Sequence, residues 1–320
     1  MRADLAERTE IRDYDPAFLA DVLQGLAAAR KSLPARWFYD RRGSELFEEI
    51  TRLPEYYPTR TEIGLLEAAA GHIARQVGRG RVVVEFGSGS STKTPLLLRA
   101  IDPVAYVPID ISGDFLRASA AALAAGFPDL VVEPLEGDFT HPLRLPPSLA
   151  GRPMLGFFPG STIGNLTPYE AVDLLRAMAG TLGDGAMLLI GIDRKKDVAI
   201  LEAAYDDAAG VTAAFNLNLL HRINRELDGD IPVDRFAHVA RYDMPLGRIE
   251  LHLRAERDIA FTVAGRRFGM AAGETIHSEN SHKYTLDEAR MLLRAAGWLP
   301  LESWTDTEDR FGLYLASATR

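Results

Sequence analysis

The chain reads as an α/β protein: a doubly wound, seven-stranded sheet of mostly parallel strands, with a second α+β domain inserted late in the chain. Three observations lead there. From about residue 61 to 193 short apolar runs alternate with helical segments, the rhythm of βαβ units. Successive runs end in or just before an acidic residue, and the first opens straight into a glycine-rich turn. After Asp193 the rhythm breaks into a long helical stretch and antiparallel-like strands, then closes with a helix and two further runs.

The elements follow in order. Asp15-Pro16 caps and starts an amphipathic helix that runs to Arg30. Residues 34–62 are rich in aromatics: Trp37, Phe38, Tyr39, Phe47, Tyr56 and Tyr57, interrupted by charges and by Pro54 and Pro58. Two readings of this stretch stand side by side, a packed helical cap and an aromatic lid over a ligand. Strands of the sheet are expected near 82–86, 104–109, 131–133, 154–158 and 186–192, with helices between them such as 168–181. A helix over 198–227 and strands near 235–243, 248–255 and 258–263 form the insertion. Thr285-Leu286-Asp287-Glu288 has capping-box spacing and starts a helix to Ala296. Runs at 299–304 and 311–316 close the sheet as a hairpin. The domain bounds that result are 61–196 plus 283–320 for the sheet, and 1–60 plus 197–282 for the second domain.

Composition narrows the class. The 320 residues can bury a large core, and the net charge of −9 lacks the basic footprint of a nucleic-acid binder. With no cysteine, disulfides and thiolate chemistry are excluded. The N-terminus MRADLAERTE carries no apolar signal segment, and no apolar run reaches membrane-spanning length. The expectation is a cytoplasmic, monomeric protein that acts on a small molecule, without nucleic acid or membrane.

The run Val82-Val83-Val84-Glu85-Phe86 leads into Gly87-Ser88-Gly89-Ser90-Ser91-Thr92-Lys93-Thr94. Glycines there allow tight turns and close approach of a ligand to the backbone. A nucleotide P-loop needs a second glycine where Thr92 stands, in the anion nest, and the dinucleotide pattern fails at the same residue. An S-adenosylmethionine loop tolerates Thr92, because that ligand brings no phosphate. An ordinary βα turn also remains open on the loop alone.

The next two runs add weight. Asp110 ends Ala105–Asp110, 23 residues after Gly87, a distance at which an acid accepts from ribose hydroxyls in doubly wound sheets. Gly137-Asp138-Phe139 follows the third run, and a carboxylate beside an aromatic ring suits an adenine. At the exit of the fourth, Ser161-Thr162-Ile163-Gly164-Asn165 precedes a Thr167-Pro168 helix start. Asn165 reads either as a turn residue or as a clamp offering both donor and acceptor to an amino acid. His277, Glu279 and His282 do not fit the usual zinc spacings, so no metal is expected.

The segments LPARWFYDRRGSELFEEITRLPEYYPTRTE, EFGSGSSTKT, GDF, FPGSTIGNLTP, AYDDAAGVTAAFN and IHSENSHKY together resemble the S-adenosylmethionine-dependent L-histidine Nα-methyltransferases of ergothioneine biosynthesis. The resemblance covers nearly the whole chain in motif order; STIGNLTP and LPEYYPTR are specific, the glycine loop generic. It implies a class I methyltransferase (Rossmann-like) sheet domain, with the second domain acting as substrate-binding domain or lid. It also implies S-adenosyl-L-methionine as co-substrate, L-histidine as acceptor, and hercynine, the trimethylated betaine, as product.

Gly87, Ser88, Lys93, Asp110, Asp138 and Phe139 correspond to cofactor contacts, with Tyr39 and Phe47 as aromatics near the methyl donor. Tyr56, Asn165, Tyr205, Glu279, Asn280 and Ser281 correspond to histidine-binding positions. Tyr39, Tyr56 and Asn165 would hold the amine and orient its lone pair. Leu251 stands where the family commonly has methionine, a near-isosteric exchange on the imidazole side. The rival readings are a methyltransferase for another aromatic amino acid such as tryptophan, and a P-loop-like ATP-binding protein.

Overall fold

The computed structural model describes residues 14–89, 92–111 and 113–319; the N-terminal decapeptide and the loop residues Ser90 and Ser91 lie outside them. Asp15 Oδ1 accepts from the N–H groups of Ala17 and Phe18 (2.9 and 3.1 Å) and starts α1 (Pro16–Ala27). A second helix, α2 (Arg41–Ile50), precedes α3 (Tyr57–Val77), which has Pro58 in its first turn. Then β1 (Val82–Phe86), α4 (Thr94–Ile101), β2 (Ala105–Asp110) and α5 (Gly113–Ala125) alternate as the periodicity requires.

Two short strands follow, β3 (Val131–Val132) and β4 (Leu135–Glu136), then β5 (Met154–Phe158), α6 (Pro168–Leu182) and β6 (Met187–Asp193). The expected long helix is instead two, α7 (Val198–Ala203) and α8 (Val211–Glu226). Gly210, at φ 73°, caps α8 in a left-handed conformation and forces the break, so Tyr205 sits in the intervening turn. Next come β7 (Phe236–Asp243), β8 (Arg248–Ala255), β9 (Ile259–Val263), β10 (Arg266–Met270) and β11 (Thr275–His282). The sequence reading had no strand at β10 or β11. Thr285 closes a full capping box with Glu288 and starts α9 (Leu286–Ala295). The antiparallel pair β12 (Trp298–Thr305) and β13 (Phe311–Ala318) ends the chain.

The chain divides into two compact units. One comprises the chain up to Ile50 with Ala208–Ala240 and Leu251–Glu279; the other comprises Thr51–Asp207, Arg241–Glu250 and Asn280 onward. The second holds the main sheet, in the order β12-β13-β6-β5-β1-β2-β3, with β4 also on β2. Strands β6, β5, β1 and β2 run parallel, and β13 joins β6 antiparallel. Eight strands are counted where seven were expected because β3 and β4 pair with successive stretches of β2. Glu133-Pro134 interrupts them, and proline has no N–H to offer the ladder.

Successive residues of each central strand face opposite cores. Val82, Val84 and Phe86 pack with α6 and α9, while Val83 packs with α3 and α4. Both faces are covered, as a parallel sheet requires. In the first unit α2 lies along α8 and β9 pairs with β10; a separate sheet has the order β11-β8-β7. Among the described residues no helix is long and apolar enough to cross a membrane.

One acid lies inside the main core. Glu85 Oε2, in β1, accepts from Thr94 Oγ1 (2.7 Å) and Tyr106 OH (2.5 Å). Burial pushes this carboxyl up from 4.5 to about 7, with the two hydroxyls pulling the other way. A folded-state pKa above the unfolded one gives stability that is full below about pH 4.5 and lost as pH rises through about 7. His282 slopes oppositely: pushed down from 6.5 to about 4 by burial, Arg248 and Lys283, it contributes fully above about pH 6.5 and less as pH falls. The difference between wild type and Glu85→Gln isolates the acid. In urea unfolding, wild type should lose about 3 kcal/mol relative to Glu85→Gln between pH 4.5 and 7.5; a pH-independent difference would refute the assignment.

Candidate active site

The cofactor side is built at the carboxyl ends of β1, β2 and β4, where open α/β sheets bind ligands. Gly87 and Gly89 follow β1 at φ 73° and 45°. The N–H groups of Gly87 and Ser88 donate to the Ile109 carbonyl (2.9 and 3.2 Å), tying the loop to the end of β2. Asp110 ends β2, and its carbonyl accepts from Gly137 N–H (3.1 Å), which brings the β4 exit alongside. Asp138 Oδ1 accepts from Thr140 N–H (3.0 Å) and Oγ1 (2.6 Å), fixing its turn.

Phe139 packs edge-on against Phe86 and Phe158, with its Cζ 3.4 Å from where a Gly87 Cβ would lie. Among the described residues, a Cβ on Gly89 would meet nothing within 4 Å. Gly87, Ser88, Asp110, Asp138 and Phe139 are therefore one group, and it suits S-adenosylmethionine: open backbone, an acid for the ribose, and an acid–aromatic pair for the base.

Lys93 is engaged elsewhere. Its ammonium is paired with Glu62, which is wholly buried on α3. Glu62 also accepts from Gly160 N–H (3.1 and 2.8 Å), so a single carboxylate joins the glycine loop to the β5 exit. A Cβ on Gly191 would lie 1.9 Å from Glu62 Oε1, which explains glycine in the middle of β6. Sequence reading missed Glu62, though it left a signal: the acid falls on the stripe Pro58, Leu65, Leu66, Ala69 and Ile73 that α3 buries.

A second polar group centres on Asp193, at the end of β6. Its carboxylate accepts from Tyr57 OH (2.8 and 2.7 Å), Lys196 Nζ (2.6 Å) and Lys283 Nζ (2.7 Å), with Arg194 N–H at 2.9 Å. Burial raises Asp193, but Lys283 and Lys196 outweigh it and hold the carboxyl below the usual range. Burial lowers Lys196 to about 8, and burial with Asp193 raises the Tyr57 phenol well above 10. Lys283 continues to Tyr205 OH (2.9 Å) and Ser281 Oγ (2.8 Å), which are 2.7 Å from each other. The Tyr56 and Tyr205 rings meet edge-on at 6.1 Å.

The β5 exit docks beside this group. Asp193 N–H donates to Ser161 Oγ (2.9 Å), and a Cβ on Gly164 would lie 2.8 Å from the His282 carbonyl. Asn165 follows Gly164 in a short 3₁₀ turn (Thr162–Asn165). Tyr56, Tyr205 and Ser281 are thus brought together, and the backbone before Asn165 abuts the strand that carries Ser281. Strand alternation puts Asn280 on the face opposite Glu279 and Ser281. The group's other members, Tyr57, Asp193, Lys196 and Lys283, were missed; an acid at the end of a fifth parallel strand was the available signal.

The remaining expected residues belong to the first unit. Tyr39 and Phe47 meet edge-on at 5.7 Å, and both approach Phe215 of α8 (5.8 and 6.1 Å). Phe38 stacks on Phe215 at 4.6 Å and is buried, whereas Tyr39 is 43% exposed. Asp40 sets this corner: it accepts from Gly43 N–H (2.7 Å), Asn218 Nδ2 (2.8 Å) and Arg225 Nη2 (2.6 Å). Packing accounts for Trp37 and Phe38, and Tyr39 is the ring left to the surface. Leu251 and Glu279 are buried on β8 and β11, and the Leu251 carbonyl accepts from Ser278 Oγ (3.1 Å). Among the described residues no three metal-ligating side chains converge.

A parallel sheet in this order, with a glycine turn, an acid and an acid–aromatic pair at its strand exits, defines a class I S-adenosylmethionine-dependent methyltransferase. The chain matches, over residues 18–318, the family described as histidine-specific, SAM-dependent methyltransferase, and it belongs to that family. It is 43% identical over 306 residues to the histidine N-alpha-methyltransferase of Mycolicibacterium smegmatis, covering 94% of each chain. The same identity holds over 307 residues with the histidine N-alpha-methyltransferase of Mycobacterium tuberculosis, covering 94% of this chain and 95% of that one. The ergothioneine biosynthesis protein 1 of Neurospora crassa is 30% identical, over 91% of this chain and 33% of its own length.

The Glu62–Lys93 pair yields a stability prediction. Lys93→Met leaves a buried carboxylate facing only the Gly160 N–H, and should destabilise by about 3–5 kcal/mol in urea unfolding. Adding Glu62→Gln should restore part of the loss; equal stability of wild type and Lys93→Met would remove the pair from the architecture.

Proposed function

We propose that this enzyme transfers three methyl groups from S-adenosyl-L-methionine to the α-amine of L-histidine, forming hercynine for ergothioneine biosynthesis. It acts as a cytoplasmic monomer on a small molecule, without metal, nucleic acid or membrane. The observation that carries the substrate choice is the i, i+2 spacing of Glu279 and Ser281 on β11. One offers a carboxylate and the other a hydroxyl to the two nitrogens of an imidazole. The two mycobacterial relatives support histidine as acceptor, and the Neurospora crassa relative supports the pathway.

The bound sulfonium supplies an activated methyl group, so the protein's task is chiefly positioning. Residues 61–196 and 283–320 hold the cofactor through Gly87, Ser88, Asp110, Asp138 and Phe139, with Lys93 shaping the loop from behind. Residues 1–60 and 197–282 serve the substrate. Tyr39, Tyr56 and Asn165 hold the amine and aim its lone pair, Tyr39 and Phe47 lie towards the methyl donor, and tyrosine faces accommodate the growing methylammonium. Tyr205 and Leu251 complete the histidine-binding set around Glu279 and Ser281, with Asn280 between them on the opposite face of β11. The amine must lose a proton before each transfer, and the third leaves a quaternary product with none to lose.

Mass spectrometry after incubation with S-adenosylmethionine and all the protein amino acids tests this directly. A gain of three CH2 units on histidine alone is expected; methylation of tryptophan instead, or of nothing, overturns the reading. Glu279→Ala should weaken histidine use at least 100-fold, since a site built to accept a ring N–H is left without its acceptor. Its S-adenosylmethionine affinity should be unchanged, and calorimetry showing wild-type histidine affinity would refute the role of Glu279.

A further inference from the structure

Lys283 has no exposed side-chain surface. Its ammonium carries three N–H groups and can only donate. Three acceptors surround it: Asp193 Oδ2 at 2.7 Å, Ser281 Oγ at 2.8 Å and Tyr205 OH at 2.9 Å. Asp193 is itself held on its far side by Tyr57 and Lys196, so one N–H of Lys283 is pinned and the other two are aimed.

Proton accounting in the triangle has a definite outcome. Each hydroxyl has one proton to give and lone pairs to receive. Both oxygens already receive from Lys283. Ser281 Oγ and Tyr205 OH are 2.7 Å apart, and the phenol, the stronger acid of the two, donates to the serine. Ser281 Oγ then receives from both Lys283 and Tyr205, so its own proton is what it has left to offer outside the triangle. Accepting from an ammonium polarises a hydroxyl towards donation, because linked hydrogen bonds reinforce one another in a dry site. The pair therefore meets an acceptor better than it meets a donor.

We propose that Lys283 is a positioning residue for substrate selection: it locks the Ser281–Tyr205 hydroxyl pair as a hydrogen-bond donor to an unprotonated ring nitrogen, so the enzyme binds the neutral imidazole. The inference rests on the reading that Ser281 meets the imidazole. An imidazolium has N–H groups at both nitrogens and would face a donor. A ring without an acceptor nitrogen leaves the donated proton unused in a buried site.

The test compares L-histidine with the β-pyrrolylalanines, which keep one ring N–H and lack the acceptor nitrogen. Ser281→Ala should lower kcat/KM for histidine about 10- to 100-fold and leave the pyrrolyl substrates nearly unchanged. Lys283→Met should reproduce that pattern through KM, with S-adenosylmethionine affinity intact. Lys283→Gln, which keeps two N–H donors, should recover part of it, and the Ser281→Ala/Lys283→Met double variant should be little worse than either single. A proportional loss on all substrates, or independent additivity with Ser281→Ala, overturns the role of Lys283. If Ser281→Ala leaves the histidine-to-pyrrolyl ratio unchanged, the imidazole reading itself fails and takes this inference with it. The wild-type enzyme provides a check that needs no variant: 15N NMR of bound labelled histidine should show one protonated and one bare ring nitrogen. Two protonated nitrogens would overturn the proposal.

Discussion

A carboxylate with no exposed surface persists as an ion only if its surroundings replace water completely, and Asp193 meets that condition. Two ammonium groups, a phenol and a backbone N–H fill its acceptor positions. Those donors come from the start of α3, the segment after β6 and the end of β11, three parts of the chain far apart in sequence. Breaking any one strands the others, because each remaining charge would then be buried without its counterpart. That mutual dependence fixes the start of α3, the segment after β6 and the end of β11 to one another.

Glu62 does a parallel job on the cofactor side. It ties Lys93 of the glycine loop to Gly160 at the β5 exit, and glycine at 191 leaves room for it. The loop that approaches the cofactor and the loop that carries Asn165 are thus anchored to one carboxylate. Both buried acids sit behind the reactive surface. They order the groups that touch ligands, which is consistent with a reaction governed by alignment.

The division of labour follows from the chemistry. A cofactor common to many methyltransferases is met by generic features: open glycine backbone, an acid at a strand end, an acid beside an aromatic ring. The choice of acceptor calls for hydrogen bonds of defined direction. In the proposed function those come from β11, whose residues alternate between faces and whose end is fastened into the Asp193 group through Lys283. A hydroxyl left to rotate freely would accept and donate alike; one that receives from both a fixed ammonium and a phenol has only its proton left to offer.

The sequence by itself determined the sheet and most of its strands, and it placed the glycine turn and the run-end acids that the fold carries to the strand exits. Those features are local or periodic: apolar runs of strand length, turn glycines, the Thr167-Pro168 helix start, the capping box at Thr285, and acids at run ends. It also carried enough family-specific wording to place the chain. It misjudged the stretch after Asp193, where Gly210 splits one helical pattern into two and β10 and β11 are too polar to read as buried strands. The buried ion groups were decided only by the tertiary structure. Nothing local in the sequence marks Lys283, Lys196 and Tyr57 as partners of one buried acid, and Asp193 acquires them only when distant elements converge.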